Sequence, residues 1–240
     1  MSKPSTIAKI DLLLPFKESF SAANAGAVAS VVHDLVIASK DPRNIKVIGR
    51  AVEQPFPGIN FAALSPKQKW LNGKNLGFAK AYLDRLKCYP APDLIEIHGR
   101  CTVAAFLLKK RPDIPISLYL HNDPRDMKGG KSVSERKNLL NGLVQIICVS
   151  DYIRDCFLDG LNDKPADNIK VQVVQNGVLR RLTSPPRKEP IIFIAGRMVP
   201  EKGILEAATA LASILPYYPE WRLVIAGAHR FEKTTKGSYQ

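Results

Sequence analysis

This 240-residue chain holds no run approaching the roughly 20 apolar residues that a membrane-spanning helix needs. Its opening, Met1-Ser2-Lys3-Pro4, is without the apolar stretch and small-residue cleavage site of a secretory leader, so the sequence reads as cytoplasmic. Cysteine is scarce. Cys88, Cys101, Cys148 and Cys156 form neither a Cys-x-x-Cys pair nor a metal-site spacing, which points away from zinc ribbons and dithiol chemistry. Aromatic residues make up 8% and do not interleave with the basic ones, and no nucleic-acid motif is present. Acidic residues are in deficit, 22 against 35 Lys and Arg, for a net charge of +13. Charge of that size reports on association rather than on fold. With nucleic acid set aside, it suggests an anionic glycolipid or glycan acceptor, or peripheral contact with the inner face of the cytoplasmic membrane. No Walker loop, Ser–His–Asp set or metal cluster is visible, so neither metal nor bound cofactor is expected.

What the chain has is alternation. Apolar runs of strand length stand at Ile10–Leu14, Ile45–Ile48, Phe61–Leu64, Leu94–Ile97, Ile116–Leu120, Leu143–Val149 and Val171–Val174. Between them apolar residues recur at helical spacing, as in Ala25 to Val36, Lys74 to Leu86 and Ile153 to Leu158. Ser132 and Glu135 have capping-box spacing, and Ser150 is placed to cap a helix that Gly160 can end. Repeated β–α units of this kind predict an α/β fold with a Rossmann-like, doubly wound parallel sheet.

Composition breaks between Leu179 and Pro190, where Pro185-Pro186 among charges reads as an extended linker. The pattern then restarts with strand Ile191–Ala195, helix Ile204–Leu215 and strand Leu223–Ala226. The expected organisation is a first domain over 1–182, a linker over 183–190, and over 191–240 the beginning of a second Rossmann-like domain. One β–α–β unit buries too little apolar surface to fold alone, so the chain is expected to be a piece of a longer protein.

Several residues carry candidate chemistry. In Ile191-Ile192-Phe193-Ile194-Ala195-Gly196-Arg197-Met198-Val199-Pro200-Glu201-Lys202-Gly203 a buried strand feeds a glycine turn and a helix start. Free N–H groups there, with Arg197 and Lys202, suit an anionic group. Small residues from Ser21 to Ala27, Gly26 among them, let the backbone approach a ligand, although close packing would use them equally well. His121 follows the strand Ile116–Leu120, and His98 ends the preceding strand at the same sheet edge, where open α/β sheets bind ligands. Arg100, Asp123, Arg125 and Lys128 surround that edge in sequence as acceptor or cleft candidates, against the alternative of solvated loop charge.

The element Gly196-Arg197-x-x-x-Glu201-Lys202-Gly203 resembles the one that opens the donor domain of family 4 glycosyltransferases with the GT-B fold. Ser150-Asp151-Tyr152-Ile153 and Val174-Gln175-Asn176-Gly177-Val178 are also similar to stretches of that family. The resemblance implies a retaining transferase that takes a nucleotide-diphosphate sugar and needs no metal. It implies that Arg197, Lys202, Gly196 and Gly26 serve the donor diphosphate and that His121 acts on the donor sugar. Gly26 departs from the family's usual glycine pair, since Ala25 precedes it. A cell-envelope acceptor such as lipopolysaccharide core would fit the basic first domain, and closure of two domains would exclude water. The family's glutamate-containing motif for the sugar and ribose has no counterpart before Gln240, so this form is expected to bind donor poorly and to turn over little. A dinucleotide oxidoreductase would need Gly-x-Gly-x-x-Gly after the first strand, which is missing. The alternative is a non-catalytic acceptor-binding module, or a subunit that completes another chain.

Overall fold

The computed structural model describes residues 8–66, 73–161, 169–180 and 182–227. The readings of Met1 to Pro4 and of Arg181 lie outside the described residues. The chain divides into two compact units, 1–179 and 180–240, slightly before the boundary expected at residue 182.

The first unit is built on seven strands: β1 (Ile10–Leu13), β2 (Ile45–Arg50), β3 (Phe61–Leu64), β4 (Leu94–His98), β5 (Ile116–Leu120), β6 (Gln145–Cys148) and β7 (Val171–Val173). Their order is β3-β2-β1-β4-β5-β6-β7 and each neighbouring pair is parallel. The order reverses between β1 and β4. At such a switch the crossovers leave on opposite sides and open a crevice beyond the strands' carboxyl ends. The crossovers are α1 (Ala27–Ala38), α2 (Gly73–Cys88), α3 (Cys101–Lys110), α4 (Val133–Gly142) and α5 (Asp151–Leu158).

The two sheet faces are covered unequally. Leu13, Ile97, Leu118 and Ile146 share a core with Phe78 of α2, Leu107 of α3, Leu139 of α4 and Phe157 of α5. Leu12, Leu14 and Val47 pack with Phe20 and with Ala29, Val32 and Val36 of α1. A fully buried Leu or Phe of this kind contributes about 1.5–3 kcal/mol. The expected capping box is present: Ser132 Oγ accepts from Glu135 N at 3.2 Å, and Ser132 N donates to Glu135 Oε2 at 3.0 Å. Ser150 caps α5, and Gly160, just past it, takes a left-handed φ of 72°.

Two buried polar arrangements hold this unit together. The Tyr82 hydroxyl donates to Asp11 Oδ2 at 2.8 Å, and burial with the nearby carboxylate pushes the phenol above its ordinary range. Arg136 of α4 is 2% exposed. Its guanidinium donates to the carbonyls of Phe157 (2.9 Å), Gly130 (3.0 Å), Lys131 (2.9 Å) and Asp159.

The second unit carries β8 (Ile191–Ala195) and β9 (Arg222–Ala226), paired in parallel, and α6 (Ile204–Ile214). Between β8 and α6 stands a 3-10 turn at Pro200–Lys202, followed by Gly203 at φ 62°. Arg197 and Lys202 therefore precede the helix rather than stand in its first turn, because the left-handed step at Gly203 delays helix formation to Ile204. Ile204 is the buried residue of α6, while Phe193 (62%), Leu205 (52%) and Val224 (37%) are exposed. Among the described residues no helix is long and apolar enough to cross a membrane.

Candidate functional site

Side chains alternate between faces along a strand, so Glu96 and His98 of β4 share one face. Register sets Glu96 opposite Ser117 and His98 opposite Tyr119 of β5, and His121 follows one residue past the end of β5. The two histidines singled out from sequence meet there. His98, fully buried, lies with Nδ1 2.8 Å from His121 Nε2 and Nε2 3.0 Å from Glu96 Oε1. The Tyr119 ring lies nearly parallel to both imidazoles, at 12° and a 4.8 Å centroid distance from His98, and at 13° and 4.9 Å from His121. Burial, then the neighbouring His98, lowers the His121 pKa to about 3, so that the ring is neutral at physiological pH.

Glu96 was not among the residues picked from sequence. Its signal was there, in the polar–apolar–polar order Glu96-Ile97-His98 inside a strand otherwise expected to be apolar.

Arg100 stands at the N-cap of α3, and its Nη1 donates to Gly99 O at 2.7 Å. Its Nε is buried and has no hydrogen-bond partner among the described residues. Arg100 and Lys128, both candidates from sequence, come together with Lys74, Thr102 and Asp126 around a pocket of about 400 Å³. Two cations from separate loops, with a third on α2, make that pocket electropositive.

Asp123 and Arg125, also candidates at this edge, are paired with each other in the loop after β5. Arg125 binds Asp123 through Nε (3.1 Å) and Nη2 (2.7 Å), and Asp159 through Nη1 (3.0 Å). The Arg125 guanidinium holds the Asp123 carboxyl down at about 2. Two carboxylates already neutralise this cation, and the cluster ties the loop after β5 to the end of α5.

Gly26 stands beside a carboxylate of the chain itself. The Glu18 carboxylate reaches the first turn of α1, accepting from Ala29 N at 3.2 Å. A Cβ at position 26 would come within 2.3 Å of Glu18 Oε2. With no Cβ in the way, the chain's own carboxylate sits at the positive end of the helix, the place expected for a ligand's phosphate.

In the second unit Gly196 N donates to Ala226 O at 3.0 Å, fixing the turn from which Arg197 projects. The Lys202 stem runs along that turn, 3.9 Å from where a Cβ of Gly196 would lie. Arg197 is held by Glu201 at 2.6 Å, with side chains 46% and 63% exposed. An exposed pair of this type is worth about 0–1 kcal/mol, which a diphosphate can outcompete. Lys202 has no ion-pair partner among the described residues. Among those residues no three of His, Cys, Asp or Glu gather as a metal set.

Against known proteins, the model of Glycosyltransferase Family 4 matches residues 29–179. The protein YtcC of Bacillus subtilis (strain 168), provisionally assigned as a glycosyltransferase, is 28% identical over 167 residues, 61% of this chain and 40% of YtcC. Among solved structures, Anabaena Alr3699/HepE in complex with UDP and glucose has a TM-score of 0.64 at 14% identity, covering 91% of this chain and 60% of that one. The lipopolysaccharide outer core galactosyltransferase WaaB in its apo form has a TM-score of 0.53 at 14% identity, covering 91% and 68%. The UDP-N-acetylglucosamine 2-epimerase of Rickettsia bellii is similar too, with a TM-score of 0.52 at 14% identity, covering 94% and 63%. These similarities place the fold among GT-B structures. The chain spans 40% of YtcC and roughly 60–70% of the structures.

Proposed function

The chain belongs to glycosyltransferase family 4, and from that premise we propose that it serves a retaining, metal-independent transfer of a hexose from a UDP-sugar to an anionic cell-envelope glycan or glycolipid. The observation that carries this reading is the pairing of His98 with His121 at the carboxyl ends of β4 and β5, beside the switch in strand order. Ligands of open α/β sheets bind at that edge. His121 holds the donor sugar, while Arg197 and Lys202 offset the charge that builds on the departing diphosphate. The pocket of Arg100, Lys128 and Lys74 takes the anionic group of an acceptor of lipopolysaccharide-core type. The excess of basic residues adds peripheral attraction to acidic lipid at the cytoplasmic membrane. Donor binding by the 240-residue chain is weak and turnover slow, because Arg197 and Lys202 stand on a two-stranded sheet whose apolar side chains are half exposed.

Calorimetric titration with UDP tests this. Binding in the millimolar range that weakens about tenfold in Lys202→Ala and in Arg197→Ala is expected, each charge-assisted bond being worth about 1.5 kcal/mol or more. UDP affinity unchanged in both variants would remove the donor role from this turn.

A further inference from the structure

The hydrogen bonds behind His121 fix more than its position. A carboxylate only accepts, so the contact from Glu96 Oε1 to His98 Nε2 puts a proton on that nitrogen. A His98 ring that carries this single proton leaves its Nδ1 bare. That bare nitrogen is 2.8 Å from His121 Nε2, so the bond between them needs its proton on the His121 side. His121 Nδ1 has no partner among the described residues.

We propose that Glu96 and His98 are positioning residues that lock His121 in the Nε2-protonated tautomer, so that its Nδ1 meets a ligand only as a hydrogen-bond acceptor. The group it then takes is a hydroxyl. An ionised phosphate oxygen, with no proton to give, is refused. Tyr119 supports the arrangement by lying flat against both imidazoles while its own hydroxyl donates to Val174 O at 3.2 Å. Glu96, His98 and Tyr119 are the titratable groups that face His121 from β4 and β5. Because burial keeps His121 a weak base, it can hold a sugar hydroxyl without taking its proton. The identity of the hydroxyl rests on the sugar-transfer reading; the locked tautomer does not.

The chain has four histidines, so each ring can be assigned in the ¹⁵N-labelled 240-residue chain. Two-bond ¹H–¹⁵N spectra then report which nitrogen of His121 carries the proton. The expected spectrum is Nε2-protonated His121 from pH 6 to 8, giving way to a mixture of tautomers in Glu96→Gln, whose neutral amide no longer dictates the order. A protonated Nδ1 in the wild type, or an unaltered tautomer in Glu96→Gln, overturns the proposal. Millimolar UDP-glucose is expected to shift His121 Nδ1 and UDP alone to leave it in place. An equal shift from UDP alone overturns the hydroxyl preference. An Nε2-protonated His121 that neither ligand perturbs upholds the lock and counts against sugar transfer instead.

Discussion

Arg136 is the side chain this fold can least do without. It supplies donors to four carbonyls from α4's preceding loop and the end of α5. Arg136→Leu keeps the volume and strands those acceptors, so a loss on the order of 3 kcal/mol is expected, read from the midpoint of urea unfolding. His121 sets an acid dependence. Its folded value is about 3 against an ordinary 6.5, so between those limits the unfolded chain binds a proton that the folded chain does not. Stability therefore falls as pH drops through that window and is flat above it. Asp123 adds a loss only below its ordinary 3.8, as pH falls towards about 2. The drop in stability from pH 7 to pH 5 is accordingly expected to shrink in His121→Asn, measured by denaturant titration at both values. Single residues were unevenly legible in the sequence. His98 and His121 could be placed because a strand end fixes its own direction. Arg136 could not, because a basic residue on an amphipathic helix looks solvated until the carbonyls around it are known.

Helix ends decide more here than helix bodies. The N-terminus of α1 is occupied by Glu18, whose carboxylate complements the helix dipole. Glu18→Gln is expected to lower stability by about 0.3–1 kcal/mol. Thermal unfolding reads the effect. The seven strands were readable because strands buried in a parallel sheet appear as continuous apolar runs. The turn at Pro200–Lys202 was not. Pro200-Glu201 suits the first turn of a helix as well as a 3-10 turn, and only the left-handed conformation of Gly203 separates the two. The strands' order, rather than their positions, creates the edge at which His98 and His121 meet, and no local pattern encodes an order.

The two units differ in how completely they fold inward. Residues 1–179 enclose cores on both faces of a seven-stranded sheet, whereas α6 in the second unit buries Ile204 alone. A chain ending at Leu179 is expected to unfold cooperatively with a midpoint within about 5 °C of the 240-residue form, by circular dichroism; a shift of that size corresponds to roughly 1 kcal/mol for a domain of 60–100 residues and somewhat more here. The spacing of Gly196, Arg197, Glu201 and Lys202 suggested the family from sequence, whereas the match that shows it lies over residues 29–179. The basic pocket was visible only in part: Arg100 and Lys128 stood out in the sequence, whereas Lys74 comes from α2 and has no contiguous link to them. The placement of the thiols has a practical corollary. Cys88, the last residue of α2, is exposed, while Cys101, Cys148 and Cys156 are buried, the first two pushed up to about 12 by burial. A maleimide dye should therefore mark each native molecule once, with no engineered handle. The other three sulfurs become reachable only as the fold opens, which turns pulsed alkylation into a clock for unfolding.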